Sequence, residues 1–408
     1  MEIKKKFEKN IFTEVIEDKS QSQNLQKEKE ENNNNQININ NGQNDNKKET
    51  SQENNNDEKK GTQKYQKTIK KIKEICSQDF ISIEELRNIC WKGIPFEDPL
   101  IRAECWKILL GLYPLKKELK ISIIQRKKEE YIDMCNVYSN ALSNPEEVMN
   151  EEELKIYRQI QKDNPRTMPE SSLFQNNKIQ FMLTRVLYIW SLRHPASGYV
   201  QGFNDLCIPF FIVYFLEKFP EKNVDTILKL NENEFKKLSD DTLTEIETTI
   251  YFSLTKLLDR IQTNYTINQP GITKMIKKME LIVEKVDPKL YEYLKKFEID
   301  YVQFCFRWMN CFLIREFPLK LILRLWDAYF SEEKGFSDFH LYVCACLLLT
   351  FSEKLKAMSE FQELIVFLQN LPTSKWRIED MDMLLAKSYS IKMLYSNSII
   401  LKSERKNQ

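Results

Sequence analysis

The sequence predicts an all-α fold, and three observations predict it. From Tyr65 onward nearly every segment spaces its apolar residues at i, i+3 and i+4, the repeat of one helix face. No stretch shows sustained period-two alternation with β-branched residues, the mark of a half-buried strand. Helix-boundary signals punctuate the chain, among them Asp98-Pro99, Pro270-Gly271, Asp287-Pro288 and Leu371-Pro372. With 408 residues, 42% of them hydrophobic, the chain can bury a large core.

Taken in order, residues 1–16 carry Phe7, Ile11, Phe12, Val15 and Ile16 at roughly helical spacing. They read either as a frayed end or as a short helix that docks on a partner. Residues 17–63 are almost entirely Asn, Gln, Glu, Lys, Asp and Ser. Such composition cannot offset the entropy of ordering, so residues 1–63 are expected to be a disordered tether. Ile69, Ile72, Ile75 and Cys76 begin the helical pattern. Ser82 with Glu85 reads as a capping box before Leu86, and Gly93 and Pro95 end that helix. Asp98-Pro99 opens the next, which Gly111 closes.

Further helices are expected at about 121–144, 151–162 and 175–193, the last with Ile179, Met182, Val186, Ile189 and Trp190 on its apolar face. Residues 206–217 are almost wholly apolar, hence a buried helix. Residues 221–247, with Glu232, Glu234, Asp240, Asp241, Glu245 and Glu247, read as a polar surface insertion holding short helices. The pattern continues at about 249–263, 271–285, 288–298, 300–315, 318–329, 338–355, 359–369 and 377–396. The folded part is therefore expected over 64–398, with 399–408 a polar tail.

Composition excludes several classes. Lys+Arg is 61 against Asp+Glu 60, a balance that argues against a nucleic-acid binder. No apolar run reaches the ~18 residues of a transmembrane segment, and no signal peptide is evident after Met-Glu-Ile-Lys-Lys-Lys. Nine scattered cysteines without C-x-x-C point to a reducing compartment. Only eight glycines are present, with no phosphate-binding loop, so the chain holds no nucleotide cradle of its own. The two histidines, His194 and His340, read as structural, and no cluster has metal-ligand spacing.

What is left for chemistry is Arg, Gln, Asp and Asn, groups that position and stabilise charge. Arg166 follows Pro165, and Gln201 precedes Gly202. A guanidinium donates through a permanently charged planar fork, and a carboxamide can hold a water while touching a phosphate. Such a pair suits phosphoryl transfer on a nucleotide that a partner brings. For joint action the intervening helix, roughly 28 Å long, must be doubled back upon. Residues 167–174 are expected to run extended along it, since eight residues reach at most about 26–29 Å.

These residues carry a family resemblance. Ile160, Asp163 and Arg166 meet Ile-x-x-Asp-x-x-Arg, and Tyr199, Gln201 and Gly202 meet Tyr-x-Gln-Gly. Together they resemble the two signature motifs of TBC-domain GTPase-activating proteins for Rab GTPases. Arg102-x-x-x-Trp106, Phe306-Arg307-Trp308 followed by Arg315-Glu316, and Leu325-Trp326-Asp327 add to the likeness, which spans about 88–396. The wording from Arg193 to Gly202, with Gln269-Pro-Gly271, is similar to the member-22 branch.

The resemblance implies an all-helical TBC domain of two helical subdomains whose groove docks a GTP-bound Rab. It implies that Arg166 is an arginine finger and Gln201 a glutamine finger, with Asp163 ordering the finger loop and offering Arg166 an ion-pair partner. Tyr199, Gly202, Asn204 and Asp205 would support the fingers. Arg307, Trp308, Trp326 and Asp327 read as core and buried-pair elements or as Rab contacts. GTP and Mg2+ would arrive with the Rab, the chain needing no cofactor of its own. The protein would be cytoplasmic, recruited to Golgi or other endomembranes by its Rab or by a membrane adaptor acting through the N-terminal region. The other reading is a non-catalytic Rab-binding scaffold that keeps the fold.

Overall fold

The computed structural model describes residues 65–405, apart from 267 and 334, and only the backbone of 396–405. The expectations for residues 1–63 lie outside the described residues. Among the described residues there is no strand, only one isolated antiparallel bridge between Phe80 and Lys116. No described helix is long and apolar enough to cross a membrane.

Local chemistry starts the helices where the sequence signals them. Helix α1 (65–77) buries Ile69, Ile72 and Ile75. Helix α2 (Ile83–Trp91) is capped by Ser82, whose side chain accepts from the Glu85 N–H at 3.4 Å, but the expected box is only half formed, the Glu85 carboxylate making no return bond to the Ser82 N–H. Asp98 caps α3 (Pro99–Leu109), with Pro99 at its first position. Helix α4 (Lys120–Ser143) leads into α5 (Glu151–Asp163), which opens on a full capping box between Asn150 and Glu153. Then come α6 (Asn177–Arg193) and α7 (Phe203–Lys218), the latter buried without a break from Phe203 to Leu216.

Two single turns, Val224–Ile227 and Glu232–Phe235, precede α8 (Asp240–Asp259). Here the reading of 221–247 as a polar surface insertion fails at its end. Glu247 is buried, and its carboxylate accepts from Tyr131 Oη at 2.7 Å and from Arg185 Nε at 2.6 Å. Partners on α4 and α6 offset the cost of burying that charge.

The second half comprises α9 (Pro270–Val286), α10 (Pro288–Lys296), α11 (Val302–Asn310), α12 (Leu319–Ser331), α13 (Phe336–Thr350), α14 (Phe361–Gln369) and α15 (Ile378–Arg405). Helix α11 is shorter than the expected 300–315, because Phe312 and Leu313 take left-handed φ of 48° and 63°. Helix α15 continues to Arg405, into the stretch read as a polar tail.

The helices sort into two groups by what they pack against. Helix α7 lies against α3, α6 and α8, while α9 gathers α10, α11, α13 and α15. Helix α12 joins the groups, touching α2, α3 and α7 as well as α13 and α15. At this junction Asp327, fully buried, accepts from Arg102 Nε at 3.2 Å, Trp106 Nε1 at 2.8 Å and the Ile94 N–H at 3.0 Å.

Candidate functional site

The end of α5 delivers the first motif. Asp163 is its last residue, and a 3₁₀ turn, Asn164–Arg166, carries the chain away. Buried Asn164 pins this turn to α6 by donating to Thr184 Oγ1 at 2.7 Å. Arg166 is exposed, and among the described residues no carboxylate stands within ion-pair distance of it.

Residues 167–174 are not the extended segment expected from their length. They fold into successive turns, with Met168 at φ 48° and the Ser171 N–H donating to Met168 O at 2.9 Å. Ser171 Oγ and the Leu173 N–H both donate to Leu228 O, at 2.8 and 3.1 Å. Contacts with Leu228 therefore hold the segment folded. The second motif instead comes back from the end of α6. There His194 accepts the cap position, its Nδ1 lying 2.7 Å from Trp190 O and its ring stacked on the Trp190 indole at 4.1 Å.

Hydrogen bonds join the two loops on either side of their exposed side chains. Tyr199 Oη donates to Asp163 Oδ2 at 3.0 Å, and Asn204 Nδ2 donates to Thr167 Oγ1 at 2.9 Å. Asp163 and Thr167 flank Arg166, and Tyr199 and Asn204 flank Gln201. Gln201 is exposed, and its carboxamide meets no partner among the described residues. Two uncommitted polar side chains thus stand on loops fastened to each other through buried Asp163, Thr167 and Asn204 and half-buried Tyr199.

Charge inside the frame is balanced. Burial raises the Asp163 carboxyl above its ordinary range, against hydrogen bonds from Gln159 and Tyr199 and the positive charge of Arg166. Burial, with Asp163 beside it, also raises the Tyr199 phenol, which stays a donor. Asp205, buried in the first turn of α7, accepts from Arg315 Nε at 2.7 Å and from the Cys311 thiol at 3.6 Å. Burial opposes the charge on Arg315, and the Asp205 carboxylate more than compensates, so the guanidinium pKa is raised.

Gly202 has a geometric reason to be glycine. Its φ is +105°, and a Cβ there would lie 2.6 Å from Asn310 Nδ2. That amide donates to the Gln201 carbonyl at 3.0 Å.

The four remaining sequence candidates sit in the frame. Arg307 is committed to Glu316 at 2.6 Å and to Gln369 O at 2.7 Å. Trp308 is buried, with its carbonyl 3.1 Å from His340 Nε2. Trp326 is buried against Trp106, ring centroids 6.1 Å apart, and Asp327 holds the Arg102 junction. Sequence reasoning missed Thr167, Tyr265 and Asn310, and quoted Arg315 without a role. No local signal marks them, because their partners stand far away in the chain. Among the described residues no group of His, Cys, Asp and Glu could hold a metal ion.

An all-helical domain with these two motifs on joined loops defines a class. The chain belongs to the Rab-GTPase-TBC domain family, which residues 99–356 match. It is similar to human TBC1 domain family member 22B, 40% identical over 330 residues that cover 81% of this chain and 62% of that protein. Human member 22A is 41% identical over 330 residues, covering 81% of this chain and 61% of its own. GTPase-activating protein gyp1 of Schizosaccharomyces pombe is 39% identical over 331 residues, with 81% and 62% covered. The chain thus spans 61–62% of the length of these relatives. Among solved structures, the Ypt/Rab-GAP domain of Gyp1p superposes with a TM-score of 0.74 at 36% identity, over 81% of this chain and 99% of that one.

Proposed function

We propose that this chain is a GTPase-activating protein that accelerates GTP hydrolysis by a Rab-family small GTPase and so regulates vesicle traffic. One observation carries the reading: Arg166 and Gln201 are exposed and uncommitted, on loops joined by one half-buried and one buried hydrogen bond. A group that must meet a partner's nucleotide has to be both free and held in place. Membership of the family, and relatives named as GTPase-activating proteins, support it.

In this reading the Arg166 guanidinium stabilises the charge that develops on the transferring phosphoryl group. The Gln201 carboxamide orients the attacking water, in place of the GTPase's own glutamine. Asp163, Tyr199 and Asn204 hold the first loop to the second, and Asp205 fixes the start of α7 behind Gln201. GTP and Mg2+ come with the GTPase. The protein works at an endomembrane surface such as the Golgi, brought there by the Rab or by an adaptor engaging residues 1–63.

The test is single-turnover GTP hydrolysis across a panel of GTP-loaded Rabs. The wild type should accelerate at least one of them. Arg166→Ala should lose about a thousandfold or more of that acceleration, and Gln201→Ala most of it. Binding of a GTP-loaded Rab without acceleration would leave a scaffold role. Undiminished acceleration by Arg166→Ala would overturn the mechanism.

A further inference from the structure

Gln201 can orient a water only if its own backbone is fixed, and the turn that carries it has two orientations. The Phe203 N–H donates to Val200 O at 3.1 Å, which closes a four-residue turn with Gln201 and Gly202 at its centre. Gly202 sits at φ 105° and ψ −10°, while Gln201 is not among the positive-φ residues. That combination is a type II turn. A type I turn would join the same ends with the central peptide rotated by about half a turn, so the Gln201 carbonyl would face the opposite way. Glycine adopts either orientation at little cost. The turn by itself therefore does not settle the direction of the peptide next to the Gln201 side chain.

Asn310 settles it. Its Nδ2 donates to the Gln201 carbonyl at 3.0 Å, across 109 residues of sequence. The same amide occupies the place a Cβ on Gly202 would need. Asn310 is itself held, for Tyr265 Oη donates to its backbone carbonyl at 2.8 Å. The Tyr265 ring packs edge-on against Phe203, centroids 4.7 Å apart. Asn310 is buried at the end of α11, so its amide is anchored to a helix of the second helical group while Gln201 heads the central helix of the first.

We infer that Asn310 is a positioning residue for Gln201: it locks the Gln201–Gly202 peptide in the type II orientation and thereby aims the carboxamide. This rests on the reading of Gln201 as a catalytic group. Asn310 touches no substrate in this account and acts only through Gln201.

A double-mutant cycle tests it, with single-turnover GTP hydrolysis at saturating protein on a Rab that the wild type accelerates. Asn310→Ala should slow the catalysed step by about tenfold, the effect of one lost orienting hydrogen bond. In the Gln201→Ala background the same substitution should change the rate by less than about twofold, because nothing is left to aim. An equal fold-loss in both backgrounds, or none in the wild-type background, overturns the inference and makes Asn310 a packing residue. Should Asn310→Ala fail to fold, as judged by circular dichroism, Tyr265→Phe gives the same cycle while keeping the ring against Phe203. If Gln201→Ala alone has no effect, the failure belongs to the functional reading, which the first arm of the cycle reveals separately.

Discussion

Gly202→Ala against Gly198→Ala separates strain at the finger turn from ordinary loop strain. Both glycines lie in the loop before α7 and both have positive φ, +105° and +61°. A Cβ at Gly198 meets nothing within 4 Å, whereas at Gly202 it meets Asn310 Nδ2 at 2.6 Å and Cys311 Sγ at 3.3 Å. At Gly198 the cost is that of one left-handed residue, about 1–2 kcal/mol, less about 0.4–1 kcal/mol from the stiffer unfolded chain. At Gly202 the backbone strain is roughly 1–3 kcal/mol. The Asn310 amide must also withdraw and release the Gln201 carbonyl, adding about 1 kcal/mol. Together these come to about 2–4 kcal/mol at Gly202 before the same unfolded-chain offset, within the stability of an ordinary domain. Urea denaturation should resolve the two variants. Hydrolysis assayed on the folded fraction should stay near wild type for Gly198→Ala and fall toward the Gln201→Ala level for Gly202→Ala. Wild-type activity in Gly202→Ala, or equal losses in both variants, would refute the argument that Asn310 and Gly202 share one fitted contact.

Two further tests address the frame. Burial lowers the His340 pKa from 6.5 to about 3, so the folded protein keeps it neutral where the unfolded chain takes up a proton. Stability from this group is therefore complete above pH 6.5 and is lost as pH falls toward 3. It should account for about 2 kcal/mol of the drop between pH 7 and pH 5, a slope that urea titrations of His340→Gln should lack. Asp327→Asn removes the charge facing buried Arg102 and should cost about 3–5 kcal/mol. Denaturation should show that loss, while the folded fraction keeps its activity because Asp327 lies outside the finger loops.

Helix boundaries were readable at most caps and breakers beside the periodic run, but Ser239 caps α8 at Asp240, nine residues ahead of the expected start at about 249. Ser82, Asp98-Pro99, Pro270 and Asp287-Pro288 all begin helices where expected, because capping involves residues two or three apart. The reading of 167–174 as extended failed for a different reason. Its proline-containing composition excludes a helix but does not distinguish an extended strand from a chain of turns. The choice fell to Leu228, 55 residues beyond Leu173, whose carbonyl gathers the segment. Glu247 looked like surface because a run of acidic residues normally is one. The arginine that satisfies it lies 62 residues earlier on another helix.

Local order along the chain was enough to establish an all-helical protein, its family, and Arg166 and Gln201 as the side chains to watch. Periodicity, caps and short motifs each act over a few residues and need no knowledge of the rest. Tertiary packing alone decided which carboxylates are buried, which loops are tied together, and that an asparagine on α11 faces the peptide beside Gln201. Hydrogen bonds across 109 or 110 residues, such as Asn310 to Gln201 and Arg315 to Asp205, exist only once the helices have packed. The spacing of residues along the chain carries no record of them.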